Sequence, residues 1–271
     1  MRGTSGASLA AARERFEPVL RDAGDAGLTL GEQLFAVVDA LDSSGALRRT
    51  LSDPSTPGED KAAVVARVLA GGFDGRVVDL VAGLARSRWS AEADLADAVE
   101  RLGVDAVLAA AEARGALESV EDELFRVTRA LAGAREAREA LSDASSDPRR
   151  RAALVDALLA GKADPVTVVL ARRATTALRG RRFVAALTEI GEVVAERRKR
   201  LVASVTSAVV LTQAQTDRLG ALLERAYGRP VQLNVSVDPS VLGGLRIQVG
   251  ADVVDSTVLS RLADARRRLA G

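Results

Sequence analysis

The sequence repeats itself at a fixed offset. Leu34-Phe35 recurs as Leu124-Phe125, Leu51-Ser52-Asp53 as Leu141-Ser142-Asp143, and Leu69-Ala70-Gly71 as Leu159-Ala160-Gly161, each 90 residues on. Pairing residues 31–71 with 121–161 without gaps gives 16 identities in 41 positions, against roughly one in ten for unrelated chains of ordinary composition. Helix-rich, low-complexity sequence imitates scattered identities, but not a turn and a helix terminus in register. Two copies are too few for a solenoid, so the repeat predicts two globular modules, near 1–104 and 105–200. A further match, LAAA at 9–12 and 108–111, lies at an offset of 99. It predicts about nine extra residues in the first copy, around Arg21 to Leu30. Trp89 pairs with Phe183 if the second copy carries a short insertion.

Within both copies the apolar residues fall at spacings of three and four, the period of an amphipathic helix. Leu34, Val37, Val38 and Leu41 share one face, and Val64, Val68 and Leu69 another. The stretch LSDPSTPGED (51–60) is a turn, with Asp53 or Ser55 able to cap the helix that follows. Gly71-Gly72 ends that helix, because glycine accepts the left-handed conformation without steric cost. The repeat therefore predicts two tandem helical bundles.

After about Arg200 the pattern changes. Leu201 to Leu211 is β-branched and partly alternating, which reads as a strand. Thr212 to Tyr227 is a helix capped by Thr212, with Leu219, Leu222 and Leu223 inward, and Gly228-Arg229-Pro230 stops it. Val231 to Val237 and Leu245 to Val249 alternate as strands, Val253-Val254 follows a Gly-Ala-Asp turn, and Asp255 or Ser256 caps a last helix with Val258, Leu259, Leu262 and Leu269 on one face. Residues 201–271 thus form a small α/β module. The fold class is mainly α: two tandem bundles, then this module.

The chain has no histidine and no cysteine, which removes zinc fingers, thiolate nucleophiles, imidazole bases and Ser-His-Asp triads. Lys+Arg 38 against Asp+Glu 37 argues against binding nucleic acid by bulk charge. No apolar run reaches the length of a membrane span. Ala160-Gly161-Lys162 lacks the preceding glycine and following hydroxyl of a phosphate loop and reads as a helix end. Gly243-Gly244 sits before a strand rather than opening a helix, so it is no dinucleotide fingerprint. Arg197-Arg198-Lys199-Arg200 and Arg266-Arg267-Arg268 each close a helix, where cations complement its dipole. The first of these is the candidate for an alternative function as a helical nucleic-acid-associated protein. Glu121-Asp122-Glu123 lies early in a helix, where the dipole favours acids. Nothing converges into a catalytic, cofactor or metal site. What remains is surface suited to helix-in-groove recognition.

The stretch 237–269, VDPSVLGGLRIQVGADVVDSTVLSRLADARRRL, resembles the δ subunit of bacterial F-type ATP synthases, the oligomycin-sensitivity-conferring protein of mitochondria. Val241, Gly243, Gly244, Leu245, Ile247, Gly250, Val253, Val254, Asp255 and Val258 fall on that family's pattern of strand, Gly-Gly step, alternating strand, Gly-x-x, apolar pair, Asp and final helix. LTQAQTDRLGALLERAYGRPVQLNVSVD before it, ALESVEDEL at 116–124 and the LSD turn are similar to the family as well, so the likeness covers about 105–271. The family has one six-helix bundle; the extra N-terminal copy resembles actinobacterial members.

The resemblance implies a non-catalytic stalk subunit. Its bundle would bind the N-terminal helix of an α subunit, and its C-terminal module the far end of a separate subunit b. The chain would resist rotor torque while carrying no cofactor and no nucleic acid, and would meet the membrane only through the complex, on its cytoplasmic side. The family's groove lies between the first and fifth helices. Here it maps to Ala106–Arg114 with Val166–Leu178, giving Leu108, Ala111, Val169, Leu170 and Leu178. In the first copy it maps to Leu9–Phe16 with Val77–Arg86, giving Leu9, Ala12, Phe16, Leu80 and Leu84. Both copies are expected to take α termini; the competing expectation is that the first copy only braces the second or the stalk, since Pro18 would kink its groove helix.

Overall fold

The computed structural model describes residues 3–198, 201–228, 231–238, 244–249 and 252–255. The chain divides into two compact units, 1–198 and 199–271.

The first unit is helical throughout. Helix α1 spans Gly3–Ala23, through Pro18, and a 3-10 turn over Gly24–Ala26 leads into α2, Gly27–Ser43. Then come α3 (Gly45–Ser52), α4 (Gly58–Leu69), α5 (Gly75–Arg86) and α6 (Glu92–Ala113). The series continues with α7 (Leu117–Ala132), α8 (Arg135–Ser142), α9 (Pro148–Leu159), α10 (Pro165–Thr176) and α11 (Phe183–Arg198). Helices α4 and α9, and α5 and α10, start and stop 90 residues apart, as the repeat predicts.

The hydrogen bonds repeat at the same interval. The backbone N–H of Asp74 donates to Gln33 Oε1 at 2.8 Å, and that of Asp164 donates to Glu123 Oε2 at 2.8 Å. Each aspartate then caps its own helix, accepting from the N–H of Arg76 or Val166. Buried Lys61 donates to the Asp53 carbonyl at 3.2 Å, and buried Arg151 to the Asp143 carbonyl at 2.7 Å. Gly71 and Gly161 close α4 and α9 at φ +75° and +65°, a region other residues enter only with strain.

Helix α6 belongs to both copies. It packs on α1, α2, α3 and α5 as α11 packs on α6, α7, α8 and α10, which makes it the sixth helix of the first bundle. It also packs on α10 as α1 packs on α5, which makes it the first helix of the second. The division drawn at 104/105 therefore falls inside an unbroken helix, and the bundles are α1–α6 and α6–α11. Two hydrophobic cores flank it. One contains Leu34, Leu84 and Leu102; the other contains Leu108, Leu124 and Phe183. Trp89 and Phe183 are buried, one in each core.

Several local expectations are corrected. The LAAA match at 99 is not the structural one. Helices α1 and α6 run out at Gly24 and Gly115, both with positive φ and 91 residues apart, so no nine-residue insertion separates the copies. Alanine-rich helix offers several registers, and the terminating glycines choose among them. Asp53 does not cap α4; it folds the turn, accepting from the Ser55 N–H at 2.8 Å and the Ser55 hydroxyl at 2.7 Å. The inward face of α4 is Ala62, Val65 and Leu69, while Val68 is exposed. The face of Leu34, Val37, Val38 and Leu41 is fully buried.

The second unit has strands β1 (Leu201–Ser207), β2 (Val231–Val237), β3 (Leu245–Val249) and β4 (Asp252–Asp255), with helix α12 (Gln213–Tyr227) between β1 and β2. The sheet order is β2-β1-β3-β4, with β1 parallel to β2 and the other pairs antiparallel. Strand β1 stops at Ser207 rather than Leu211, because its partners end there: Ser207 faces Val237 on one side and Leu245 on the other. Val209 and Val210 beyond it are exposed. Thr212 caps α12 in a reciprocal box with Gln215, and Gly228 ends it at φ +66°. Leu219 and Leu223 pack on Val205 and Ile247, while Leu222 is exposed rather than inward. The last predicted helix, with Val258, Leu259, Leu262, Leu269 and Arg266–Arg268, lies outside the described residues.

Candidate functional site

Helix α2 runs along the seam between α6 and α10, the first and fifth helices of the second bundle. Three glycines let it settle there. A Cβ on Gly31 would stand 2.3 Å from Val107 Cγ2 and 2.8 Å from the Gly103 carbonyl oxygen. One on Gly27 would meet the Ala106 carbonyl at 2.7 Å, and one on Gly103 would meet the Phe35 ring at 2.6 Å. Phe35 enters the second core, and Leu28 packs against it.

Charges then pin α2 and the turn that leads into it. Arg114 of α6 reaches Asp25 at 3.4 Å and Asp164, the α10 cap, at 3.0 Å. Arg173 of α10, 5% exposed, pairs with Asp39 and Glu100, each at 2.6 Å, and lies 4.8 Å over the Phe35 ring. Arg179, after α10, pairs with Asp42 at 3.0 Å and Asp97 at 2.8 Å. Paired in this way, buried guanidinium groups keep hydrogen-bond partners that burial would otherwise remove.

A second network ties α1 to α6 and α11. Asp105 of α6 is 2% exposed and accepts from Arg13 Nε at 2.9 Å, with Arg101 at 3.7 Å. Burial pushes its carboxyl up, while attraction to Arg13, Arg101 and Arg197 works the other way. Glu196 receives both Arg13 and Arg101. Arg13, Arg101 and Glu196 edge an open cleft of about 750 Å³ between α1, α6, α10 and α11.

The expected groove residues are for the most part core. Leu108, Ala111, Leu170, Leu178, Ala12, Phe16 and Leu84 are buried, and Leu9, Val169 and Leu80 are half-buried. The apolar stripes of the first and fifth helices face their own bundle. The outer face of the second pair is covered by α2. Sequence reasoning passed over Gly27, Gly31 and Gly103, although isolated glycines inside a helical pattern signal close packing.

The basic cluster is occupied where it is described. Arg197 pairs with Glu17 at 2.9 Å and Glu112 at 2.7 Å, and Arg198 pairs with Glu118 and Glu121. Lys199 and Arg200 lie outside the described residues. Among the C-terminal signature residues, Gly244 precedes β3 at φ +87° and Ile247 is buried. Leu245 packs beside Ile247. Val253, Val254 and Asp255 form β4, opposite Gln248, Ile247 and Arg246. Val241, Gly243, Gly250 and Val258 lie outside the described residues. Among the described residues no group of acidic side chains converges as a metal site, and no helix is long and apolar enough to cross a membrane.

The family model of the ATP synthase delta (OSCP) subunit matches residues 104–269. The chain belongs to that family. The match begins within α6, so the family's unit corresponds to the second bundle and the C-terminal unit. Relatives named ATP synthase subunit delta extend over the first bundle as well. The one from Beutenbergia cavernae is 58% identical over 271 residues, covering 100% of both chains. The one from Kineococcus radiotolerans is 51% identical over 270 residues, covering 99% of this chain and 98% of its own. The one from Streptomyces griseus is 45% identical over 271 residues and covers both completely.

Proposed function

We propose that the chain is the non-catalytic δ subunit of the peripheral stalk in a rotary F-type ATP synthase. It joins the N-terminal helices of α subunits in the catalytic head to the C-terminal end of subunit b, on the cytoplasmic side of the cell membrane. It thereby holds the head against rotor torque during proton-driven ATP synthesis. The observation that carries this reading is the construction of residues 3–198 around one shared helix. A part that carries load at the head holds its shape only if its bundles do not turn against each other. Helix α6 lies in both bundles, and Arg13, Arg173, Arg179 and Arg197 tie α1 and α2 to α6, α11 or the α10–α11 connection. Ion pairs with several partners per arginine add orientation that apolar packing lacks.

The test is recovery of partners. Tagged chain purified from gently solubilised membranes is expected to bring down α and b in fixed proportion. Recovery without either protein, or salt-sensitive recovery of nucleic acid in their place, contradicts the reading.

A further inference from the structure

The two copies present the same pair of helices, first and fifth, in different states. In the second copy the groove between α6 and α10 already holds a helix. Contacts at three levels follow α2 from one end to the other: Gly27 and Gly31 on Ala106 and Val107, Phe35 and Asp39 with Arg173, and Asp42 with Arg179, and Asp25 in the turn before it pairs with Arg114. The first copy differs. Helices α1 and α5 pack on each other and on α6, and Glu14, Arg15, Pro18 and Asp79 along them are exposed.

The glycines show that this seating is more than ordinary bundle packing. Helix α7 crosses α11 as α2 crosses α6, but α7 has Leu117 and Glu121 where α2 has Gly27 and Gly31. Its counterpart of Phe35 is Phe125, which is 65% exposed, whereas Phe35 is 6% exposed. The close approach, the buried ring and the arginine clamp occur together only where a groove lies beyond the helix.

We propose that α2 is the resident ligand of the second copy's groove, so that, of the two first-and-fifth helix pairs, only that of α1 and α5 is left to a partner helix. This rests on the reading that the family's grooves take helices. It replaces the expectation of two α termini per chain with one. It also fixes the chemistry of the second groove: the occupant is a helix of this chain, with small residues four apart, a phenylalanine four further on and carboxylates that meet Arg173 and Arg179.

The absence of native cysteine allows a direct test. Glu32 and Arg172 are exposed residues on α2 and α10 that attract one another across the seam. The double variant Glu32→Cys, Arg172→Cys is treated with a short bismaleimide, as free chain and in the assembled complex. The expected result is the same high yield of intrachain crosslink in both. A crosslink that forms in the free chain and is lost on assembly shows displacement of α2 and overturns the proposal. So does failure to form in a folded free chain. A second arm titrates a synthetic α N-terminal peptide into the full chain. One peptide per chain is expected, with binding lost in Gly83→Trp, which fills the α1–α5 groove. Two peptides per chain, or binding that survives Gly83→Trp, overturns the proposal. If the chain never assembles with α, the stalk reading fails, while the free-chain crosslink still reports on α2.

Discussion

Asp74 shows how much of the fold rests on single carboxylates at helix starts. Hydrogen bonding from the Arg76 side chain, and then from its backbone N–H, holds the Asp74 carboxyl down at about 2. Asp53 and Asp143 are lowered in the same sense by the hydroxyl and then the N–H of Ser55 and Ser145. A carboxyl whose pKa falls on folding stabilises the folded state above its unfolded value, and loses that contribution as pH falls through the folded one. The Asp74 contribution should therefore disappear between about pH 4 and pH 2. Asp105 has the opposite sense, since burial raises it; its contribution is largest in acid and is lost as pH rises through the raised value. Melting temperature measured from pH 6 to pH 2 should fall for the natural chain, and fall less for Asp74→Asn, which keeps a capping side chain but does not titrate. Gly31 gives a steric counterpart. Gly31→Ala places a methyl against Val107 and the Gly103 carbonyl and should cost about 1–3 kcal/mol in denaturant unfolding. Gly83→Ala meets only the Arg15 guanidinium at 4.0 Å, and should be neutral or stabilising by up to about 1 kcal/mol.

At the scale of elements, the paired helices α4/α9 could be read from the sequence because their ends carry chemistry. Gly71 and Gly161 mark the stops of α4 and α9 in the sequence itself, while the caps Asp74 and Asp164, also 90 residues apart, are recognised only in the structure. Helix α6 could not be read, because nothing punctuates it. Its alanine-rich middle supports several registers, and sharing a helix between bundles is a tertiary fact with no local signature. The groove residues pose a related problem: periodicity finds an apolar stripe, but not whether the stripe meets its own bundle or a partner. Lys61 and Arg151 were also invisible, since a buried cation looks like a surface one until its acceptors are placed. Arg151 donates to the carbonyls of Asp143, Ser146 and Thr175, whereas Lys61 reaches that of Asp53. Arg151→Met should therefore destabilise by about 2–3 kcal/mol, and Lys61→Met by about 1 kcal/mol, as read by urea denaturation.

For the whole molecule, a helix common to two cores means that neither bundle can lose its packing alone. The single tryptophan, Trp89, reports on the first core, with its Nε1–H donating to the Leu84 carbonyl at 2.9 Å. Its fluorescence should change at the same denaturant concentration as the bulk of the far-ultraviolet helical signal. Two separated transitions would mean that α6 does not couple the bundles. Coupling of this kind is what a static link between head and stalk requires, and it leads to the measurement that bears most directly on function. Membranes stripped of this chain should keep the head's ATP hydrolysis but lose proton-driven ATP synthesis, and purified chain added back should restore it. The Val107→Pro variant, which breaks α6, should not. Undiminished synthesis in the stripped membranes would contradict the account.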